Sequence, residues 1–250
     1  MGRRRFAVPE ALASHVVSLL EAIVLGLAQG LTEFLPVSST AHLRVIPALA
    51  GWDDPGAAFT AVTQLGTVVA VLLYFRRELV RIAVAWLRGL RDPVVRRGLD
   101  SRLGWYLIVA TVPLVVFGVA FTEQIENGAR NLYLVSGTLI LLGFVLLAAD
   151  RLALTRRPLE TITTRDGIVV GLAQALALVP GVSRAGATIT AGLFLGLDRQ
   201  AAARFSFLLS VPAVILSGVY ELRVFVDGEP DDTGLAALVI ATLVAFAVGY

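Results

Sequence analysis

Five stretches of this chain, 59–75, 105–121, 132–149, 205–220 and 235–250, carry no charged side chain. At 1.5 Å of helical rise per residue, runs of this length approach the roughly 30 Å of hydrocarbon in a bilayer. Inside hydrocarbon every backbone N–H and C=O must be paired within the protein, which leaves helices and closed barrels. The apolar residues here are continuous instead of alternating, which argues against a barrel. Composition agrees: 57% of residues are hydrophobic and only 16% charged, where a soluble domain has about 25% charged. Mean hydropathy is +0.80. The chain therefore reads as an all-α polytopic membrane protein, a single membrane domain over residues 1–250.

Cysteine is absent, which excludes disulfides and thiolate chemistry. Lysine is absent too, so apart from His15 and His42 every basic side chain is Arg. The net charge of +2 says little on its own, and no nucleic-acid partner is expected. In a membrane protein the informative quantity is which loops hold the charge.

One segment occurs twice. Gly26-Leu27-Ala28-Gln29 returns 145 residues on as Gly171-Leu172-Ala173-Gln174, with Leu31, Val37 and Ser38 matched by Leu176, Val182 and Ser183. Residues 76–102 hold eight Arg against three acids, and 150–166 hold four Arg. Basic loops stay cytoplasmic, which places both inside and the acidic stretches 122–131 and 221–232 outside. On that assignment the second copy starts and returns inside, dipping into the membrane without crossing. By similarity the first copy dips from the outside. Three spans lie between the copies, so the second is inverted relative to the first. The expected architecture is an inverted-topology repeat with two re-entrant helical hairpins plus about five to six transmembrane helices. Repeat one covers about 17–150 and repeat two about 165–250. Arg3-Arg4-Arg5 would then lie outside, so a spanning first segment with a cytoplasmic N-terminus stays open. Completing the symmetry would require a third span in the second half; either the chain is clipped or the second half is degenerate, and clipping is the favoured reading.

The polar residues inside the apolar segments carry the chemistry. Glu33 sits at membrane depth, where an acid costs about 2.5–3.5 kcal/mol on insertion scales and usually faces a cavity. Gln29 lies one turn earlier on the same face. Pro36 breaks the helix, and broken backbone at depth must be buried in protein or face water. Ser38, Ser39, Thr40 and His42 follow. Such hydroxyls often bond back to their own helix, but a Ser beside an imidazole and a carboxylate is also the elementary arrangement of an activated nucleophile. The second copy ends in Pro180-Gly181-Val182-Ser183-Arg184-Ala185-Gly186-Ala187-Thr188. Arg184 offers a planar fork for phosphate oxygens. If Gly186 to Thr188 opens a half-helix, its N–H groups add an anion site. An internal Glu33–Arg184 pair is the plainer reading, and the two are compatible if substrate displaces the pair. One half thus supplies Gln29, Glu33, Ser38, Ser39, Thr40 and His42, the other Ser183, Arg184, Gly186 and Thr188. That set suits a phosphorylated lipid.

At these residues the chain resembles a known family. Gln29-Gly30-Leu31-Thr32-Glu33-Phe34-Leu35-Pro36-Val37-Ser38-Ser39-Thr40-Ala41-His42 looks like the first motif, and 180–188 the second motif, of bacterial undecaprenyl pyrophosphate phosphatases of the BacA type. Gln64-Leu65-Gly66 and Phe75-Arg76-Arg77 extend the match. Where the family usually has Ser, this chain has Ala185, so no hydroxyl acts there; Gln29 stands where many relatives have Glu. The resemblance implies hydrolysis of undecaprenyl diphosphate to the monophosphate carrier lipid and inorganic phosphate, recycling the carrier for the cell wall, with a link to bacitracin resistance. It implies a divalent cation, Mg²⁺ or Ca²⁺, and a multi-pass protein of the bacterial inner membrane working at its outer face. Catalysis would rest on Glu33, Ser39, His42 and Arg184, with Glu33 also the metal ligand. Ser39 is the favoured nucleophile with His42 as base or acid, and attack by His42 itself stays open. Phosphate contacts would come from Gln29, Ser38, Thr40, Ser183, Gly186 and Thr188. A homodimer is compatible with this reading.

Two rivals remain. A carrier that flips the phosphorylated lipid would use the same repeat architecture, yet would need no positioned nucleophile. A structural subunit would tie helices together with these polar groups, although interhelical polar pairs average only about 0.6 kcal/mol. A two-histidine phosphatase site would need His15 as its second histidine, and the accompanying motif is absent.

Overall fold

The computed structural model describes residues 17–121, 131–153, 156–227 and 234–250. His15, Arg3–Arg5, nearly all of the 122–131 loop and residues 228–232 lie outside the described residues. Among the described residues the α-helices in chain order are α1 (Leu19–Thr32), α2 (Ser39–Ala50), α3 (Gly56–Gly89), α4 (Pro93–Arg97), α5 (Leu99–Ala120), α6 (Leu132–Leu152), α7 (Thr164–Ala175), α8 (Arg184–Phe194), α9 (Arg199–Asp227) and α10 (Leu235–Gly249). Among the described residues the only β-type pairing is a parallel bridge between Arg157 and Leu197.

Local chemistry sets the helix starts. Ser18 and Glu21 form a capping box before α1: Glu21 N–H donates to Ser18 Oγ (3.3 Å) and Ser18 N–H to Glu21 Oε2 (2.6 Å). Thr163 and Asp166 do the same before α7, at 3.3 and 2.8 Å. These two boxes lie 145 residues apart, the spacing of the repeat, although no residue in them is shared. Ser38 and Ser183 likewise cap α2 and α8, and each of these helices is followed by a left-handed glycine, Gly51 or Gly196.

Among the described residues two helices, α5 and α6, are long and apolar enough to cross a membrane. On α6 the side chains of Tyr133, Ile140, Leu141 and Phe144 stand exposed, a surface that suits lipid better than water. By contrast α1, at 14 residues, extends only about 21 Å, and α2, α7 and α8 are shorter still.

The uncharged run 59–75 lies within α3, which continues through the arginines to Gly89. The expected basic loop 76–102 is therefore mostly helical, with α4 and the start of α5 inside it. Hydropathy marks where lipid contact ends, but backbone hydrogen bonding continues while one face stays packed. Ile82 is buried in the same cluster as Leu103 and Tyr106. In the same way the expected loop 221–232 begins as helix, since α9 extends to Asp227.

Helix packing is close enough to need glycine. A Cβ on Gly26 would meet the carbonyl oxygen of Ala241 at 2.6 Å, and one on Gly171 would meet Cα of Ala110 at 2.5 Å. Thus α1 lies on α10 and α7 on α5 through matched positions of the two copies. Further along, Gly30 meets Ala245 and Val248, while Gly167 meets Tyr106, so both pairs run parallel. Helices α3 and α5 are antiparallel, with Trp86 against Gly104 and Gly89 near Ser101.

The arginine-rich segments converge at one end. Arg102 donates to the carbonyls of Ile162 and Glu160, Arg81 pairs with Asp100 (2.9 Å) and Arg199 with Asp150 (2.5 Å). Arg157 is the clasp of this end, donating to Thr161 O, Leu195 O and Asp166 Oδ2.

Candidate active site

Helix α1 ends at Glu33, whose N–H still donates to Gln29 O (3.0 Å). The turn containing Pro36 then reverses the chain into α2. Its last residue, Ser38, has a φ of 60°, the left-handed region that costs a non-glycine residue about 1–3 kcal/mol and gathers at functional sites. The matching turn in the second copy uses Gly181 with a φ of 88°, and Thr138 Oγ1 donates to Pro180 O (2.6 Å) beneath it.

The two turns meet at Glu33, whose side chain is 4% exposed. Arg184, the first residue of α8, donates from Nη2 to Glu33 Oε1 at 2.5 Å. On the other oxygen, Oε2 accepts from Ser39 Oγ (2.6 Å) and Gln29 Nε2 (3.0 Å). Ser183 Oγ reaches Leu35 O at 3.5 Å, tying the second turn to the first. Gln29 is almost fully buried and its amide also donates to Thr67 Oγ1 on α3 (3.4 Å).

His42 sits one turn along from Ser38, with Nδ1 2.9 Å from the Ser38 carbonyl oxygen. A carbonyl only accepts, so Nδ1 is the donor, and in the neutral ring the lone pair lies on Nε2. The hydroxyl of Ser39 is thus bonded to Glu33 and not to His42. Thr40 is exposed on the first turn of α2. Helix α8 begins at Arg184, two residues before Gly186, and the Gly186 N–H is taken by Ser183 Oγ (3.1 Å). Thr188 turns away from Glu33: its hydroxyl bonds Arg184 O (2.9 Å) and Ser206 Oγ (2.6 Å). The structure therefore gathers Gln29, Glu33, Ser39, Ser183 and Arg184 at one point, with Ser38 and His42 beside it. Gly186 and Thr188 support α8 behind it.

Sequence reasoning missed Thr67, Thr138 and Ser206. Each is one of several hydroxyls in an apolar run, with nothing to single it out, and only Thr67 had a pointer, directly following Gln64-Leu65-Gly66.

A metal would find few donors in the chain alone. Among the described residues no three His, Asp or Glu side chains converge. Glu33 is the single carboxylate at the centre, and both its oxygens are engaged. The donor set is too small for a resident ion cage and fits only a cation whose other ligands arrive with a ligand.

What the arrangement can do is specific. A buried carboxylate accepts the proton of a serine hydroxyl while a guanidinium fork on its far side can turn to an anion. Comparison with known proteins gives the family. The sequence model of the family described as bacitracin resistance protein BacA matches residues 22–250. A protein named undecaprenyl-diphosphatase from Nocardioides sp. is 54% identical over 94% of this chain and 85% of its own length. Another of that name from Thermobifida fusca is 50% identical, covering 94% and 80%. A third, from Myxococcus xanthus, is 53% identical, covering 93% and 78%. On these matches, the chain belongs to the BacA family.

Proposed function

We propose that this protein hydrolyses undecaprenyl diphosphate to undecaprenyl phosphate and inorganic phosphate, with Glu33, Ser39 and Arg184 at the centre of the reaction. The observation that carries the reading is the junction at Glu33, where the serine of one hairpin and the arginine of the other meet on one carboxylate. The relatives described above are named for this hydrolysis.

In the reaction Arg184 leaves Glu33 Oε1 for the oxygens of the terminal phosphoryl group and neutralises charge developing there. Ser39 Oγ attacks that phosphorus, Glu33 Oε2 takes the hydroxyl proton, and the lipid monophosphate departs. Water then cleaves the phosphoserine, with His42 Nε2 accepting a proton from the water and Glu33 Oε2 returning the hydroxyl proton to the departing Ser39 Oγ. Gln29 holds the carboxylate through Oε2. Ser38, Ser183 and Thr40 border the phosphate, while Gly186 and Thr188 act through the placement of α8. Glu33 is the residue that would hold a Mg²⁺ or Ca²⁺ ion brought with the diphosphate, and such a cation would supply further charge neutralisation.

The Nδ1 contact to the Ser38 carbonyl, which in a neutral ring leaves Nε2 as the nucleophilic nitrogen, supports a second chemical route, direct attack by His42. Quenching turnover of substrate labelled in its terminal phosphate separates the two. Label on Ser39 survives acid and is lost in alkali, and label on His42 behaves the other way. Phosphate release lost on chelation and restored by Mg²⁺ or Ca²⁺ supports the cation; release unaffected by chelation removes it.

The architecture we propose is an inverted-topology repeat, about 17–150 and 165–250, with α1–α2 and α7–α8 as re-entrant hairpins. Its support is geometric. The helices of both hairpins are too short to cross hydrocarbon. Helix α1 runs with α10 and α7 with α5; α3 runs with α10, through Val62 near Thr242 and Ala70 near Gly249, and antiparallel to α5. Hence α1 and α7 point in opposite directions. With the arginine-rich end cytoplasmic, the first hairpin opens outward, at the outer face of a bacterial inner membrane.

A further inference from the structure

Between α3 and α9, at the arginine-rich end, lies an open groove of about 600 Å³. Tyr74, Phe75 and Phe207 form its apolar part, and Arg77, Arg81 and Arg204 its polar rim. Glu78 is the carboxylate within it. Arg204 donates to Glu78 Oε1 from Nε (3.1 Å) and Nη2 (2.6 Å), and Arg81 approaches the same oxygen at 3.6 Å while pairing with Asp100. This network holds the guanidinium groups in place without hiding them: the side chain of Arg204 is 41% exposed and that of Arg81 is 55% exposed. Arg77 is exposed and among the described residues is engaged by no carboxylate. The rim is net positive, with N–H groups to spare.

What lies beside the rim identifies the occupant. Exposed Val69, Leu73 and Tyr74 form an apolar surface that stops where Arg76 and Arg77 begin. Aromatic rings stand at that boundary, with Tyr74 and Phe75 centroids 4.9 Å apart and Phe75 and Phe207 6.4 Å apart. Aromatic side chains collect at the headgroup level of a bilayer, and basic pockets between membrane helices on the cytoplasmic side suit anionic lipid phosphates. A free phosphate would use the rim alone and leave the rings without a role.

We propose that this groove binds the phosphate headgroup of an anionic phospholipid of the surrounding membrane, with acyl chains lying along Leu73 and Val69. The site is separate from Glu33 and does not depend on the reaction assigned there. The test is native mass spectrometry of purified protein with phosphatidylglycerol, phosphatidylcholine or inorganic phosphate, alongside thermal unfolding. Phosphatidylglycerol is expected to be retained in preference to phosphatidylcholine and to raise the melting temperature. Arg77→Ala should weaken retention about tenfold, the loss of one charge-assisted hydrogen bond. Arg88→Ala, an exposed change on the same helix outside the groove, should leave it unchanged. Arg77→Ala should also keep full hydrolytic activity in uncharged detergent, so failure here would not touch the catalytic proposal. Equal retention of the two lipids, equal effects of the two variants, or Arg77-dependent binding of inorganic phosphate without phosphatidylglycerol would each overturn the assignment.

Discussion

The guanidinium of Arg184 has two roles that a single substitution can separate. It neutralises a buried carboxylate at rest and, in the proposed reaction, clamps phosphoryl oxygens. Arg184→Lys keeps the charge but loses the planar fork, so hydrolysis should fall at least about tenfold while the protein still folds. Arg184→Ala should lower turnover by about 10²–10³. It also strands Glu33 in a buried position, a loss that costs about 3–5 kcal/mol where pairs are fully buried and less here, because the Arg184 side chain is 19% exposed. Rates of both variants, measured beside their melting curves, separate lost chemistry from lost structure. Glu33, His42 and Arg184 stood out in the sequence as candidates, because an ionisable side chain in an apolar run is conspicuous. The bond from Ser39 to Glu33 was not legible there, since which neighbour a hydroxyl chooses depends on the turn at Ser38 and its positive φ. Thr67 was hidden for a similar reason: its partner, Gln29, lies 38 residues away.

At the scale of elements, the hairpins are fixed by their ends and by backbone contact. Asp166 shows the electrostatic part. Burial pushes its carboxyl upward, but the bonds from Arg157 and from the Thr163 N–H and hydroxyl outweigh this and hold it below the ordinary carboxylate value. A depressed folded-state pKa adds stability that is present above the unfolded value of about 3.9 and lost as pH falls through the folded one. Melting temperature should therefore drop below about pH 4, and Asp166→Asn should melt lower at neutral pH and show a shallower acid dependence. An unchanged acid limb in that variant would count against the clasp. Packing supplies the second test. Gly171→Val drives side-chain atoms into the backbone at Ala110 and should destabilise by at least about 1–3 kcal/mol, the usual range for overpacking; urea or thermal unfolding in detergent reads it. The repeat was visible in sequence through Gly-Leu-Ala-Gln, yet the paired capping boxes were not. Ser18 with Glu21 and Thr163 with Asp166 do one job with different residues, and an identity search passes over them.

Across the whole molecule, fold class followed from hydropathy because lipid admits so few backbone solutions. Helix lengths did not, since α3 and α9 keep their hydrogen bonds beyond the apolar runs. Sidedness can be read directly because the chain has no cysteine. A single Asp53→Cys, in the turn after α2, should react with an impermeant maleimide on intact cells. Arg91→Cys, between α3 and α4, should react only after lysis. The same side for both would contradict the inverted arrangement. The central claim is that one carboxylate couples the two hairpins into a phosphatase centre. Its most direct test is phosphate release from undecaprenyl diphosphate by purified wild type, Glu33→Gln and Ser39→Ala, each shown to be folded by its melting curve. The account predicts release by wild type and a loss of about 10²-fold or more in both variants. Turnover at the wild-type rate in either folded variant would contradict it.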